Sequence, residues 1–432
     1  MRLSLLFVVI ISSCTAQRGD QAAGYFKTKG ITTSAVLSGE KAIVVAGESS
    51  LWKEDSPNKE TKYGFLAKMP SDASQIQIYK LGDDKENWRV EHFVTADQYS
   101  FASGHFGENR IPFVAKIDQK MNVVWAMSSN QLSAGNESQT ATNSRGELLI
   151  SSKKPGADSY VMHFCLLGPD GKLLWVRQLE HVDQLSAILP VTGDNFLICF
   201  KQKGAYIDGE TRKKYLLYTT VLCSSQGEII SLVSYILDNS LLQDFSLDGV
   251  VQTKNKNLYH WGSVSTNGIA VPFAMSSSEN GAIHWAKTFP AAQNLSFKNS
   301  VELPNGDLIA VGDGYGRSGG FLQAGMKASG DIKWMQLIPC PSYQQIVSAL
   351  QIADQTVMIY DKTLQLAFYK LNENGQSCLP GASPVAVQTM DFPVDVHQIT
   401  ADFTEDKEVV WTKCNVQMSS GGQIHAESDC SH

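Results

Sequence analysis

A chain of 432 residues with a formal charge of −7 and no block of like charges carries no basic footprint for nucleic acid and no polyelectrolyte tail. Only 18% of the residues are charged and 34 are glycine, which favours many short strands joined by tight turns over long solvated helices. The length admits two or three ordinary domains or one large closed β-structure, and does not choose between them.

At the amino terminus Arg2 precedes the apolar run Leu3 to Ile11. An apolar core of about 7–15 residues predicts an export signal, since a membrane span needs about 20. The segment Ile11-Ser12-Ser13-Cys14 resembles the lipobox of bacterial lipoproteins, and that resemblance makes Cys14 the lipid-bearing residue. Cleavage after Ala16 is the alternative, because Cys14-Thr15-Ala16 also offers small residues. Residues 1–14 are accordingly assigned to the signal with its lipobox cysteine, 15–21 to a short tether and 22–432 to one repetitive domain. Removing Cys14 leaves seven cysteines, an odd number. Cys414 with Cys430 and Cys340 with Cys378 are the candidate disulfides, and no Cys-x-x-Cys spacing points to zinc.

The remainder of the chain repeats a four-strand grammar, A to D, with a period of roughly 50 residues, within the range of propeller blades. The sixth unit is the plainest. Phe297 to Leu303 is strand A, Asp307 to Gly312 strand B, Gly320 to Lys327 strand C and Ile332 to Ile338 strand D, with turn residues at each reversal. Strand B recurs at Ala42, Tyr99, Glu147, Asn195, Asn257 and Thr356, and again at Val409 to Cys414. At the carboxy terminus a strand A near Val396 to Phe403 and a strand C near Gly422 to Glu427 outline an eighth unit without a strand D. Tyr25 to Thr28 reads as an orphan strand D. Pairing the two ends closes a ring of four-stranded blades, an all-β propeller with the amino-terminal strand completing the last blade. Eight blades follow from this count; seven blades with a trailing carboxy-terminal hairpin is the alternative.

A glycine followed four residues later by tryptophan marks the C-to-D turn: Gly171 to Trp175, Gly281 to Trp285 and Gly330 to Trp334. Looser copies end in Trp125, where Met121 replaces the glycine, and begin at Gly227, where Ser231 replaces the tryptophan. Glycine supplies a positive φ there, and a tryptophan at a fixed place on strand D can pack between neighbouring blades. These residues are read as structural, not as ligand contacts.

The stretches Phe321 to Trp334 and His163 to Trp175 resemble the β-propeller repeats of exported bacterial proteins, and are similar to the quinoprotein-like (PQQ-like) propeller repeat. The resemblance covers nearly all of residues 22–430 and implies fold alone, because members of that superfamily include both envelope scaffolds and quinone-dependent dehydrogenases. No adjacent cysteine pair and no carboxylates at calcium spacing accompany it, so no cofactor and no metal are assigned. The Asp208-Gly209-Glu210 stretch is read as a solvated loop. Histidines are scattered, and His163 and His284 fall inside strands, where a satisfied or solvent-facing imidazole is the expected state. Neither a Gly-x-Ser-x-Gly elbow nor a His-Glu-x-x-His motif occurs.

Recognition is therefore expected where the repeat is interrupted. The B-to-C segment Ser49 to Lys62 carries Trp52, and Tyr206 to Lys214 occupies the corresponding place in the fourth unit, making Trp52 and Tyr206 the candidate partner contacts. Cys378 to Asp391 is expected to replace a regular C-to-D turn. Together these features point to a non-catalytic, lipid-anchored propeller serving as an interaction platform for other envelope proteins at the outer membrane, on its periplasmic face. The alternative is a secreted enzyme, a glycan hydrolase or lyase, with its site on the propeller axis.

Overall fold

The computed structural model describes residues 8–13, 22–27, 30–37, 42–49, 62–70, 76–83, 85–96, 99–134, 139–154, 161–208, 211–236, 242–266, 268–314, 320–339, 345–352, 355–362, 365–371, 383–398 and 403–428. The fold is all-β. Among these residues the only helical turn is the three-residue Thr192–Asp194, and no helix is long and apolar enough to cross a membrane.

Six groups of four antiparallel strands follow one another. In the first, Gly30–Leu37, Ala42–Ser49, Tyr63–Pro70 and Ile76–Leu81 are strands A to D; in the second they are Trp88–Ala96, Tyr99–Phe106, Ile111–Asp118 and Val123–Ser128. The third is Thr140–Thr142, Leu148–Ser152, Met162–Leu167 and Leu173–Leu179, and the fourth Val182–Val191, Asn195–Asp208, Thr211–Cys223 and Ile229–Ile236. The fifth is Leu242–Gln252, Leu258–Thr266, Ile269–Ser277 and Ile283–Thr288, and the sixth Leu295–Glu302, Leu308–Gly314, Gly320–Met326 and Ile332–Pro339. Three further strands, Gln345–Ile352, Gln355–Lys362 and Gln365–Leu371, take their fourth member from the amino-terminal Ala22–Lys27. The A strands pack against one another in succession, and Gln345–Ile352 packs against Gly30–Leu37, so the succession returns to its start.

The core lies between sheets. One buried cluster joins the first and second groups through Val44, Leu66, Phe93 and Phe113; another joins the fourth and fifth through Tyr218, Tyr235, Phe245 and Phe273. Strands B and C are buried on both faces, as in Leu308–Gly314 and Gly320–Met326, because each sheet is covered by a neighbour on either side.

Two expectations are corrected here. The carboxy-terminal residues form no eighth sheet: Ser383–Pro384, Met390–Asp391, Asp395–Gln398, Phe403–Glu405 and Thr412–Lys413 pair with the D strands of the sixth, fifth, fourth, third and second groups in turn. Met418–Ser428 then pairs with Ile76–Leu81 of the first. The segment runs back around the molecule against the order of the repeat, adding a fifth strand to each sheet. Open D edges explain this, since an unpaired row of N–H and C=O groups is satisfied by any extended segment that reaches it. The second correction concerns 378–391. Its described part, from Ser383 on, opens this returning strap and is not a C-to-D turn, because Ala22–Lys27 occupies the D position of the last group.

Topologically there are five five-stranded sheets and one of ten strands. The larger sheet is two groups bridged by Val8–Ser13, which pairs with Ala22–Lys27 and with Met418–Ser428. Cys165, Cys199, Cys223 and Cys414 are free thiols, so the expected pairing of Cys414 with Cys430 is not made. Burial pushes the thiols of Cys165, Cys199 and Cys223 up to about 12, leaving them unreactive packing groups. Cys340, Cys378 and Cys430 lie outside the described residues.

Candidate functional site

The glycine-to-tryptophan motif is built from a turn and a bulge. Gly171, Gly227, Gly281 and Gly330 all have φ between 78° and 88°. In the second unit Met121 adopts φ 64°, in a turn where Asp118 Oδ1 accepts the Asn122 N–H at 2.8 Å. In the D strands of the second to sixth units the residue before the tryptophan position is then left out of register: Val124, Leu174, Ile230, His284 and Lys333 are all skipped in the pairing with strand C. A β-bulge of this kind turns one side chain out while re-aiming the next.

The re-aimed tryptophans lie against the following unit. Trp125 Nε1 donates to Pro169 O at 3.2 Å, Trp175 Nε1 to Ser225 O at 2.8 Å and Trp285 Nε1 to Ala328 O at 3.0 Å. Each ring covers the glycine of the next C-to-D turn. A Cβ added at Gly171 would come within 3.2 Å of Trp125, and one at Gly330 within 2.9 Å of Trp285. In the fourth unit, where Ser231 stands at the tryptophan position, Val233 covers Gly281 instead. Trp334 is half-buried and approaches Gly325 of its own sheet; the turn that would receive it lies outside the described residues.

The side chains turned out by the bulges are the structure's most consistent surface feature. Val124, Leu174 and Ile230 are 51%, 50% and 54% exposed at the same repeat position of three successive sheets. His284 and Lys333 hold that position in the next two and are also exposed. The strap adds Val396 and Val410, likewise about half exposed, beside the fourth sheet and between the third and second. The strap strands pair only with the later halves of the D strands, such as 177–179 and 233–236, so the bulged positions remain uncovered.

Titratable side chains gather in two places. In the second unit a bulge in strand A leaves Glu91 out of register, next to Val90, which pairs with Gly104, where any Cβ would collide with the Arg89 carbonyl. Glu91 Oε1 lies 3.2 Å from His105 Nδ1, 3.3 Å from Arg110 Nη2 and 3.8 Å from Arg89 Nε. Burial alone would raise its pKa, but the hydrogen bond and charge of His105, with His92 and Arg89, hold the carboxyl below its ordinary value. At the third sheet the strap is clamped: His163 Nε2 lies 3.1 Å from Asp406 Oδ2, and Lys154 reaches Asp406 at 3.5 Å and Glu408 at 2.6 Å. Burial depresses the imidazole of His163 despite that carboxylate. His284 is exposed, and His260 is fully buried between Tyr218 Oη and Ser277 Oγ, each 2.9 Å away. Among the described residues no three His, Cys, Asp or Glu side chains are grouped to hold a metal ion.

The A-to-B turns of the second to fifth units surround a cavity of about 660 Å³. Thr95 and Ala96, Thr142 to Ser144, Pro190 to Asp194, and Gln252 to Lys254 with Lys256 supply its wall. It opens at the far end of strand A from Glu91: four residues of strand, roughly 13 Å, separate Glu91 from Thr95. The Glu91–His105 pair therefore does not face anything held in the cavity.

Of the sequence-predicted contacts, Trp52 and the anchor residue Cys14 lie outside the described residues. Tyr206 is not in a loop. Strands B and C of the fourth unit continue as a paired ladder to Asp208 and Thr211, with Tyr206 opposite Lys213; Gly209 and Glu210 lie outside the described residues. The bulged positions and the residues lining the cavity escaped sequence reasoning, which had named only the propeller axis as a place for a site; a hydrophobic residue immediately before tryptophan, as at Val124 and Leu174, was the available signal.

No family model matches the chain and no curated protein matches it. It is similar to a solved protein of unknown function from Bacteroides caccae, at 12% identity over 66% of this chain and 94% of that one, with a TM-score of 0.37.

Proposed function

We propose that the chain is a seven-bladed β-propeller that works as a non-catalytic, lipid-anchored interaction platform for other proteins of the cell envelope at the outer membrane. Seven blades are favoured because the A strands pack in a returning succession of seven, with Ala22–Lys27 completing the last blade. Lipidation at Cys14 removes Val8–Ser13 from the mature chain. The ten-stranded sheet then becomes one four-stranded and one five-stranded blade, still in contact through the pairing of Ala22–Lys27 with Met418–Ser428.

The observation that carries the platform reading is the outward apolar position shared by Val124, Leu174 and Ile230. Single exposed apolar residues are ordinary, but the same bulged site filled by Val, Leu and Ile in three adjacent blades makes a recurrent outer face. A partner docking there would bury these side chains at little cost to the packing between sheets, which uses Trp125, Trp175 and, in the fourth unit, Val233. The test is purification from membranes of the wild type and of the triple variant Val124→Ser, Leu174→Ser, Ile230→Ser, with Cys14→Ser alongside. The expected outcome is a defined set of co-purifying envelope proteins lost in the triple variant, and release from the membrane in Cys14→Ser. A wild-type protein that comes down alone and soluble would contradict both parts.

A further inference from the structure

The axial cavity is wide enough, at about 660 Å³, for a small organic solute. Among the described residues its charged lining groups are Asp194, Lys254 and Lys256, and they are not in the same state. The Asp194 carboxylate is already used: Ser144 Oγ donates to Oδ1, and Arg145 Nε lies 3.7 Å from Oδ2. Asn143 Nδ2 donates to Glu147 at 2.8 Å and to the Asp194 carbonyl at 3.1 Å. Thr192 Oγ1 and Gln252 Nε2 both donate to Glu279 Oε1. The turn carrying the lysines is fixed as well, by the bond from the Lys254 N–H to Glu302 Oε2 at 2.8 Å and by the bond from Lys256 N–H to Thr253 O at 2.8 Å. Lys256 holds φ 64° within it. The ammonium groups of Lys254 and Lys256 are the lining charges for which no hydrogen bond or ion pair is made among the described residues. The two ammonium groups thus stand free beside a wall whose neighbouring carboxylates, Asp194, Glu279 and Glu302, already accept hydrogen bonds.

We infer that this cavity binds a small organic anion bearing at least two acidic groups, held by Lys254 and Lys256 at the A-to-B mouth of the ring. The same chemistry is offered by a di- or tricarboxylic acid and by an acidic saccharide. A single inorganic ion would leave most of the volume unfilled, and a neutral sugar would find few free hydrogen-bonding groups and, among the described residues, no aromatic face to stack on. Binding through exposed ammonium groups should weaken with salt.

Titration calorimetry on the full chain with citrate, digalacturonate, galactose and sulfate separates the cases. Binding of citrate or of digalacturonate, weakened at least tenfold in Lys254→Gln/Lys256→Gln and weakened by added salt, is the expected result, and the better of the two anions identifies the source. The lysines are exposed, so an unchanged melting temperature of the variant shows that any loss is a loss of the site. Absence of binding to both anions overturns the inference. So do binding retained in the double variant, galactose bound as well as digalacturonate, and sulfate bound as well as either organic anion.

Discussion

The junctions that follow the second, third and fifth sheets differ from the junction between the fourth and fifth. The former use one device: a tryptophan laid on the next unit's turn glycine, its indole N–H given to a carbonyl of that turn. The latter has Ser231 where the tryptophan would be and is filled by Val233 over Gly281, with the buried Tyr218–His260 contact spanning the two sheets and His260–Ser277 continuing it within the fifth. A repeated apolar device and a single polar network do the same work, but they respond differently to perturbation. Packing of an indole does not depend on pH; a buried imidazole does.

The largest effect separating them should come from Trp175→Ala. Trp175 is the most buried of the three docking tryptophans and makes the shortest indole bond, so truncation should cost about 3–5 kcal/mol, read as a lowered denaturant midpoint.

Acid titration addresses the other junction. Desolvation pushes His260 down to about 3, from an ordinary value near 6.5. The folded state thus binds fewer protons than the unfolded one between these limits. The stability this group confers is complete above about 6.5 and falls as the pH drops toward about 3, by up to about 1.4 kcal/mol per pH unit. His163, also depressed by burial, acts in the same direction. Melting curves from pH 7 to pH 4 should be flatter in His260→Gln than in the wild type; equal slopes would show that the network does not depend on a neutral imidazole.

Gly227→Ala should cost about 1–2 kcal/mol, through a φ of 78° and a new Cβ 3.2 Å from the Trp175 ring. Paired with Trp175→Ala in a double-mutant cycle, the two losses should not add, since removing the ring relieves the clash of the new Cβ and leaves only the cost of the positive φ. The smallest effect belongs to the outward positions: Leu174→Ser should change stability by no more than about 0.5 kcal/mol while removing partner binding.

How much of this was legible in the sequence depends on whether a feature is periodic. The strands of the sixth unit, and the glycine and tryptophan that frame its C-to-D turn, could be read directly, because turn residues and alternation recur at a fixed interval. The bulge was hidden in the same spacing. Four residues from Gly171 to Trp175 do not reveal that Leu174 is skipped in the ladder, since registers with and without a bulge have the same sequence length. The strap misled for a different reason. Val409 to Cys414 has the composition of a strand B, and composition does not say which edge a strand will join; only the vacancy at each D strand decides that. The cavity was invisible because its wall comes from four turns about 50 residues apart, and Lys254 and Lys256 look like any solvated turn lysines.

The returning strap is the most direct point at which the ring can be tested. Ser234 pairs with His397, and Gln178 with Thr404. In a chain carrying Cys414→Ser, the double variants Ser234→Cys/His397→Cys and Gln178→Cys/Thr404→Cys should each form a disulfide under mild oxidation, since paired strand positions fall within disulfide reach. Failure of both, with ready cross-linking of Phe403→Cys to Val409→Cys instead, would place residues 396–414 in a hairpin of their own and contradict a repetitive β-fold girdled by its carboxy-terminal chain.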